Sequence, residues 1–392
     1  MSDGPLVFLI AGEPSGDQLG GNLMRNLSAL TGGRARFAGI GGEAMQAAGL
    51  ESLFPMEELS LMGAAELIPH IPQLIGRIRL TLATIRRLHP AAVVTIDAPA
   101  FCLRIGRRIG GLGFPRVHYV APQAWAWRPG RAKEYRRAFD RLLALLPFEP
   151  AFFAAYGLDC RFVGHPAIDG GAGRGDGAAF RARHAIAPDT TVLCVLPGSR
   201  RGEVARLLPI FGAATKALAS RRRLLAVLPT VAAVADQVVA GVRDWPVPTL
   251  VVRGPAEKFD AFAAADAALA ASGTVALELA LSRTPSVIAY RLNALSAFLA
   301  RPLIRIRHVA LPNIIAGRTV MPELVQGDCR PDRLAAALER LLDDPVARRQ
   351  QQAASEEVAR LLGAGGESPG RRAAAAVLDA IAARSAASAQ QK

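Results

Sequence analysis

The stretch LVFLIAGEPSGDQLGGNL, residues 6–23, begins with a nearly unbroken apolar run over Leu6–Ala11 and drops at Gly12 into Glu13, Pro14, Ser15, Gly16 and Asp17 before a helical pattern starts. A buried strand that feeds a glycine-rich turn and then a helix is the building unit of a doubly wound α/β sheet. Its turn is where backbone N–H groups and a helix N-terminus can hold a polar ligand. The spacing of Gly12, Gly16, Gly20 and Gly21 fits neither a Walker loop nor the dinucleotide fingerprint. Ser15 or Asp17 acting as an ordinary helix cap accounts for the same residues.

The alternation continues along the chain. Apolar runs at 92–96, 116–121 and 142–147 are followed by helical patterns at 103–109, 131–139 and 150–156, and such runs, apolar throughout, read as parallel strands covered on both faces. After the polar, glycine-rich DGGAGRGDG at 169–177 a second series begins, with strands expected at 192–196, 224–228, 249–252, 267–270 and 287–290. The expected organisation is therefore an α/β protein of two doubly wound, Rossmann-like domains, 1–168 and 178–365, joined by a linker at 169–177. Residues 366–392 form a terminal helix that either returns to the first domain or caps the second. Ligands of such sheets bind at the carboxyl ends of the strands, so the chemistry is expected in the cleft between the domains.

Composition narrows the classes. Hydrophobic residues at 51% and charged residues at 20% describe a globular chain rather than a disordered or fibrous one. The 47 basic residues outnumber 33 acidic ones for a net charge of +14, and only four of them are lysines (Lys133, Lys216, Lys258, Lys392). That field favours anionic partners such as nucleic acid, phosphorylated substrates or acidic lipid, and a general preference for arginine explains it equally well. Cys102, Cys160, Cys194 and Cys329 lack CxxC or zinc spacing, so neither a disulfide framework nor a metal is expected. No basic leader precedes the first strand and no apolar run reaches the ~18 residues of a membrane span.

Three further stretches carry chemistry. LPGSRRGEV at 196–204 repeats the strand, glycine turn and helix, with Gly198 allowing close approach and Arg200 offering a planar fork for a diphosphate. In ASGTVALE, Ser272, Gly273 and Thr274 precede a helix carrying Glu278 one turn on, where a carboxylate can accept both hydroxyls of a ribose; Ser or Thr as plain caps is the alternative. IDAP ends a buried run on Asp97, a candidate general base whose pKa partial burial would raise; an Asp capping the next turn is the alternative. His118, Gln123, Trp125, Trp127 and Arg128 follow in HYVAPQAWAWR, the tryptophans read as packing. Lastly, Leu67, Ile68, Ile71, Leu74, Ile75 and Ile78 fall on one helical stripe flanked by arginines, which reads as an interfacial face or, more commonly, as a side turned to the core.

Together AGEPSGDQLGGNL, MGAAE, IDAP, HYVAPQAWAWR, LPFE, RFVGHP, LPGSRRGEV, ASGTVALE and LPNIIAGR resemble, in order from residue 6 to about 345, the lipid-A-disaccharide synthase family. The resemblance implies a glycosyltransferase-B architecture and an inverting transfer that joins UDP-2,3-diacylglucosamine to 2,3-diacylglucosamine 1-phosphate (lipid X), giving a β-1,6 disaccharide phosphate and UDP. It implies UDP contacts from Arg200, Glu278 and Asn313, with the Ser272–Gly273–Thr274 turn stabilising the leaving UDP. Asp97 falls on the family's catalytic acid, and Glu13, Ser15, Gly16, Asp17 and Met62 on the acceptor side. It further implies no cofactor and no metal, UDP being carrier and product. The location implied is the cytoplasmic face of the bacterial inner membrane, held peripherally on anionic lipid, with no nucleic-acid partner and a homodimer left open. One departure stands out: where the family commonly reads Asp-x-Pro-Asp-Phe-Asn, this chain has Ala100 and Cys102. A UDP-N-acetylglucosamine 2-epimerase shares the architecture and is the second enzyme reading.

Overall fold

The computed structural model describes residues 4–60, 67–291 and 307–390. The chain forms two compact units, Met1–Pro166 with Gly366–Lys392, and Ala167–Gly365.

In the first unit β1 (Leu6–Ala11), β2 (Arg36–Ile40), β3 (Ala92–Ile96), β4 (Arg116–Tyr119), β5 (Arg141–Ala144) and β6 (Asp159–Phe162) make one sheet in the order β2-β1-β3-β4-β5-β6. All its pairings are parallel. Phe8, Ile10 and Val93 enter the core on one face, while Val7, Leu9, Val94 and Ile96 enter that on the other. This is the period of two expected of a strand buried on both sides. The terminal helix Pro369–Gln390 belongs to the second of these cores, where Ala373, Ala374 and Val377 join Leu23 and Leu27 of the helix Pro14–Leu30. Two arginines pin it: Arg372 donates to the Phe162 carbonyl, and Arg141 donates to that of Ala376, each at 2.8 Å.

The second unit contains β7 (Thr191–Leu196), β8 (Leu224–Thr230), β9 (Thr249–Arg253), β10 (Ala267–Ala271), β11 (Ser286–Tyr290) and β12 (Glu323–Val325), again all parallel, in the order β12-β11-β10-β7-β8-β9. The glycine-rich residues 169–177, read from the sequence as a linker, are built into this unit. Asp176 caps the helix Gly177–Arg183 by accepting the Ala179 N–H, and its own N–H donates to Asp260, both at 2.8 Å.

Each sheet reverses its winding once, between β1 and β3 and between β7 and β10. Loops diverge there to opposite sides and leave a crevice at the strand carboxyl ends, where ligands of open α/β sheets bind.

Candidate functional site

In the second unit that crevice is a cavity of about 570 Å³, within the range of small-molecule sites. The turn after β7 forms one wall. Gly198 has φ +118°, and a Cβ on it would stand 2.7 Å from the Glu203 carboxylate, so only glycine keeps both the bend and the contact. Arg200 begins the 19-residue helix Arg201–Ala219, with its side chain 81% exposed and an ion pair to Glu203 at 3.2 Å. The opposite wall is the turn after β10. Gly273 and Thr274 are exposed, while the Ser272 hydroxyl is committed to the Val309 carbonyl at 2.9 Å. Glu278 points back to the cavity and receives Lys258 Nζ on both oxygens, at 2.8 and 3.0 Å.

Asn313 occupies a different position from a direct ligand contact. It is fully buried, and its amide is saturated: Oδ1 accepts from the N–H groups of Val320 and Met321, and Nδ2 donates to the Met321 carbonyl and to Glu323. Glu323, which the sequence reading missed, also accepts the N–H groups of Val309 and Ala310. The pair fixes the segment that Ser272 touches.

A larger hollow of about 680 Å³ opens elsewhere in this unit beside Arg174, Arg283 and Arg360. It lies off the switch point, and two of its guanidiniums are engaged, Arg174 by the Asp169 carbonyl and Arg283 by Glu356. The smaller cavity is the better ligand site.

At the first unit's switch point the turn after β1 meets the turn after β3: a Cβ on Gly12 would stand 2.7 Å from that of Ala98. Asp97 and Ala98 both hold left-handed backbone, with φ of 51° and 43°. Two such non-glycine residues in succession store strain of about 1–3 kcal/mol each, a cost typical of sites that aim a side chain. Asp97 is half-buried, and burial raises its pKa against the lowering effect of the Ala98 N–H. Glu13, largely exposed, is also raised, first by partial desolvation and then by the charge of Asp97. A carboxylate whose proton affinity is increased in this way suits a general base.

The floor beneath Asp97 is polar but closed. Thr95 Oγ1 lies 2.7 Å from His118 Nδ1, and His118 stacks on Phe139 at 4.7 Å between centroids. Burial drives the His118 pKa down to about 3, which favours the neutral ring. Cys102 is fully buried, and its thiol is raised by burial and then by the charge of Asp97.

The rest of the first turn divides. Glu13 and Ser15 are exposed at the crevice, whereas Gly16 is buried against Ile96. Asp17 is 4% exposed and accepts three backbone N–H groups, from Gly42, Ala44 and Met45. It caps the helix Glu43–Ala47, not its own, whose cap position, Glu13, makes no side-chain cap bond. A side chain so committed is unavailable to an acceptor. Of the apolar stripe, Ile78 is core and Leu74 is packed against that core, while Ile75 is 43% exposed. The stripe is thus split rather than uniformly interfacial. Met62 and the side chains of Leu67, Ile68 and Ile71 lie outside the described residues.

Comparison with known proteins decides the family. Residues 7–377 match the family described as lipid-A-disaccharide synthetase. The chain belongs to the lipid-A-disaccharide synthase family. A lipid-A-disaccharide synthase of Rhodospirillum centenum is 57% identical over 346 residues, covering 88% of this chain and 86% of that one. One of Granulibacter bethesdensis is 45% identical, covering 87% and 86%. Among solved structures, a Staphylococcus aureus MnaA–UDP co-structure matches with TM-score 0.62 at 13% identity, covering 96% of both chains. A UDP-GlcNAc 2-epimerase of Neisseria meningitidis bound to UDP-GlcNAc matches with TM-score 0.61 at 9% identity, covering 96% of this chain and 99% of that one. The structural matches speak for the fold alone. The enzyme is a glycosyltransferase of lipid A biosynthesis with the glycosyltransferase-B fold, and the epimerase alternative is not favoured.

Proposed function

We propose that the enzyme transfers a 2,3-diacylglucosaminyl group from UDP to the 6-hydroxyl of 2,3-diacylglucosamine 1-phosphate, with inversion. The acceptor oxygen forms a bond to the anomeric carbon as the bond from that carbon to the β-phosphate oxygen breaks; the acceptor's proton passes to the Asp97 carboxylate and UDP leaves. The observation that supports this reading is the pair of features found at the two switch points: a desolvated, strained carboxylate at the first and a cavity of nucleotide size at the second.

In the second unit Arg200, exposed and paired among the described residues with Glu203 alone, can swing to a diphosphate, and Gly198 lets the backbone approach it. Gly273 and Thr274 line the same cavity, and Glu278 takes the ribose hydroxyls. Ser272 and Asn313 act through the loop they hold. No cofactor or metal is assigned: among the described residues no group of three or more His, Cys, Asp or Glu could hold a metal ion, and Glu278 already faces Lys258. Activity should accordingly survive a chelator.

No helix among the described residues is long and apolar enough to cross a membrane. The proposed location is peripheral, on the cytoplasmic face of the inner membrane. The support is the net charge of +14 together with Ile75 and Leu80, exposed on the arginine-flanked helix Leu67–Leu88.

The test is direct. The purified protein, incubated with both diacyl substrates in detergent, should yield UDP and the disaccharide phosphate by mass spectrometry. Release of UDP with no disaccharide would oppose the transfer.

A further inference from the structure

Lysine is rare in this chain, four residues among 47 basic ones, yet the cavity of the second unit contains Lys258 on the helix Pro255–Ala264. Its ammonium is held from two sides. Nζ reaches both Glu278 oxygens, at 2.8 and 3.0 Å, and lies 4.5 Å from the Phe259 ring centroid. Both partners are three-quarters buried, with side chains 27% and 22% exposed. A second feature of the same cavity points to a ligand: the Thr230 hydroxyl, at the carboxyl end of β8, is buried and has no hydrogen-bond partner among the described residues.

A carboxylate that must accept hydroxyl hydrogens beside a diphosphate faces a conflict, since its charge repels the phosphates it stands near. Pairing with a cation removes the repulsion but risks occupying the acceptor oxygens. An arginine fork would lie along the carboxylate and take it bidentately. The lysine ammonium is a compact point charge, which neutralises the carboxylate while leaving lone pairs on each oxygen free.

We propose that Lys258 is a positioning residue for nucleotide recognition: held by Phe259, it fixes and neutralises Glu278 so that both carboxylate oxygens accept from the ribose hydroxyls, and the Thr230 hydroxyl supplies a further hydrogen bond to the bound nucleotide. The inference rests on the reading of this cavity as the UDP site. It assigns sugar discrimination, and not merely charge attraction, to the Lys258–Glu278 pair.

Titration calorimetry with UDP, 2′-deoxy-UDP and 3′-deoxy-UDP separates these roles. The full-length wild type should prefer UDP over each deoxy analogue by about tenfold or more, the loss expected when a buried carboxylate is left one hydroxyl short. Glu278→Gln should bring those ratios near unity. Lys258→Met should weaken UDP by roughly 10–100-fold and also collapse the ratios. Lys258→Arg, which keeps the charge and guards against a folding defect in the Met variant, should lose discrimination while retaining more of the UDP affinity. Thr230→Val should weaken all three ligands by about the same few-fold factor.

Lysine variants that weaken the three ligands equally, with the ratios preserved, would reduce Lys258 to a general cation and overturn the proposal. Unchanged affinities in Thr230→Val would remove Thr230 from it. A wild type that binds no UDP, or a Glu278→Gln protein indistinguishable from it, would instead refute the assignment of the cavity as the UDP site.

Discussion

Asn313, on the helix Leu311–Ala316, donates through Nδ2 to Oε1 of Glu323, at the start of β12, at 2.7 Å, and its amide has no donor or acceptor position to spare for a ligand. Removing the amide leaves two buried N–H groups, a carbonyl and a carboxylate without their partner. Asn313→Ala should therefore destabilise the second unit by about 2–4 kcal/mol, visible in denaturant unfolding. UDP affinity measured well below the melting temperature should change little. A stable Asn313→Ala protein with greatly weakened UDP binding would mean that the amide turns to the ligand.

Asp17 makes the same distinction in the first unit. Its carboxylate accepts three N–H groups at 2.8–3.1 Å, and an amide in its place offers one acceptor and a misplaced donor. Asp17→Asn should lower stability by about 1–3 kcal/mol while leaving the KM for the acceptor within about twofold. A large rise in that KM at unchanged stability would return Asp17 to the acceptor site.

The division between legible and hidden residues follows from range in sequence. Asp97 stands out because it ends an unbroken buried run, and Arg200 and Glu278 because each sits just beyond its own glycine or Ser-Gly turn. Asp17 reads as a cap or a ligand because its partners begin 25 residues away at Gly42. The same blindness hides Lys258 from Glu278, 20 residues on, and Asn313 from Glu323. Strand and helix patterns announce the two sheets, since periodicity is local. The glycine-rich stretch 169–177 misleads as a linker because polarity and glycine content carry no trace of the Asp176–Asp260 bond that docks it. The stripe 67–78 misleads because its spacing permits two faces, and only packing shows that Ile78 faces the core and Ile75 does not.

Glu149 adds a pH-dependent term to stability. It is 2% exposed, accepts from Trp125 Nε1 at 3.1 Å and from the Leu146 N–H at 3.0 Å, and burial nevertheless raises its pKa to about 7 from an ordinary 4.5. With the folded value above the unfolded one, the native state binds more proton between those pH values. This contribution is complete below about pH 4.5 and is lost as pH rises through 7, a change of about 3 kcal/mol. Urea unfolding from pH 4.5 to 8 should show the decline, and Glu149→Gln should flatten it. An identical slope in the variant would assign the dependence to other groups.

The split stripe gives a paired test. Ile75→Ser should weaken binding to anionic vesicles without lowering the melting temperature, because its side chain is exposed; Ile78→Ser should lower that temperature by removing a core contact. If Ile75→Ser leaves vesicle binding untouched, this helix is not the membrane-facing surface.

The central claim is that the Asp97 carboxylate takes the acceptor's proton, and the most direct measurement is single-turnover transfer by Asp97→Asn with both substrates saturating. The change keeps the shape of the side chain and removes proton acceptance. The rate should fall by on the order of 10²–10⁴ while the Kd for UDP stays within about twofold. Because burial raises the pKa of Asp97, the wild-type rate should climb with pH along a limb centred above the ordinary aspartate value. A near-normal rate in Asp97→Asn would contradict the account and leave Glu13 as the next carboxylate at that crevice to test.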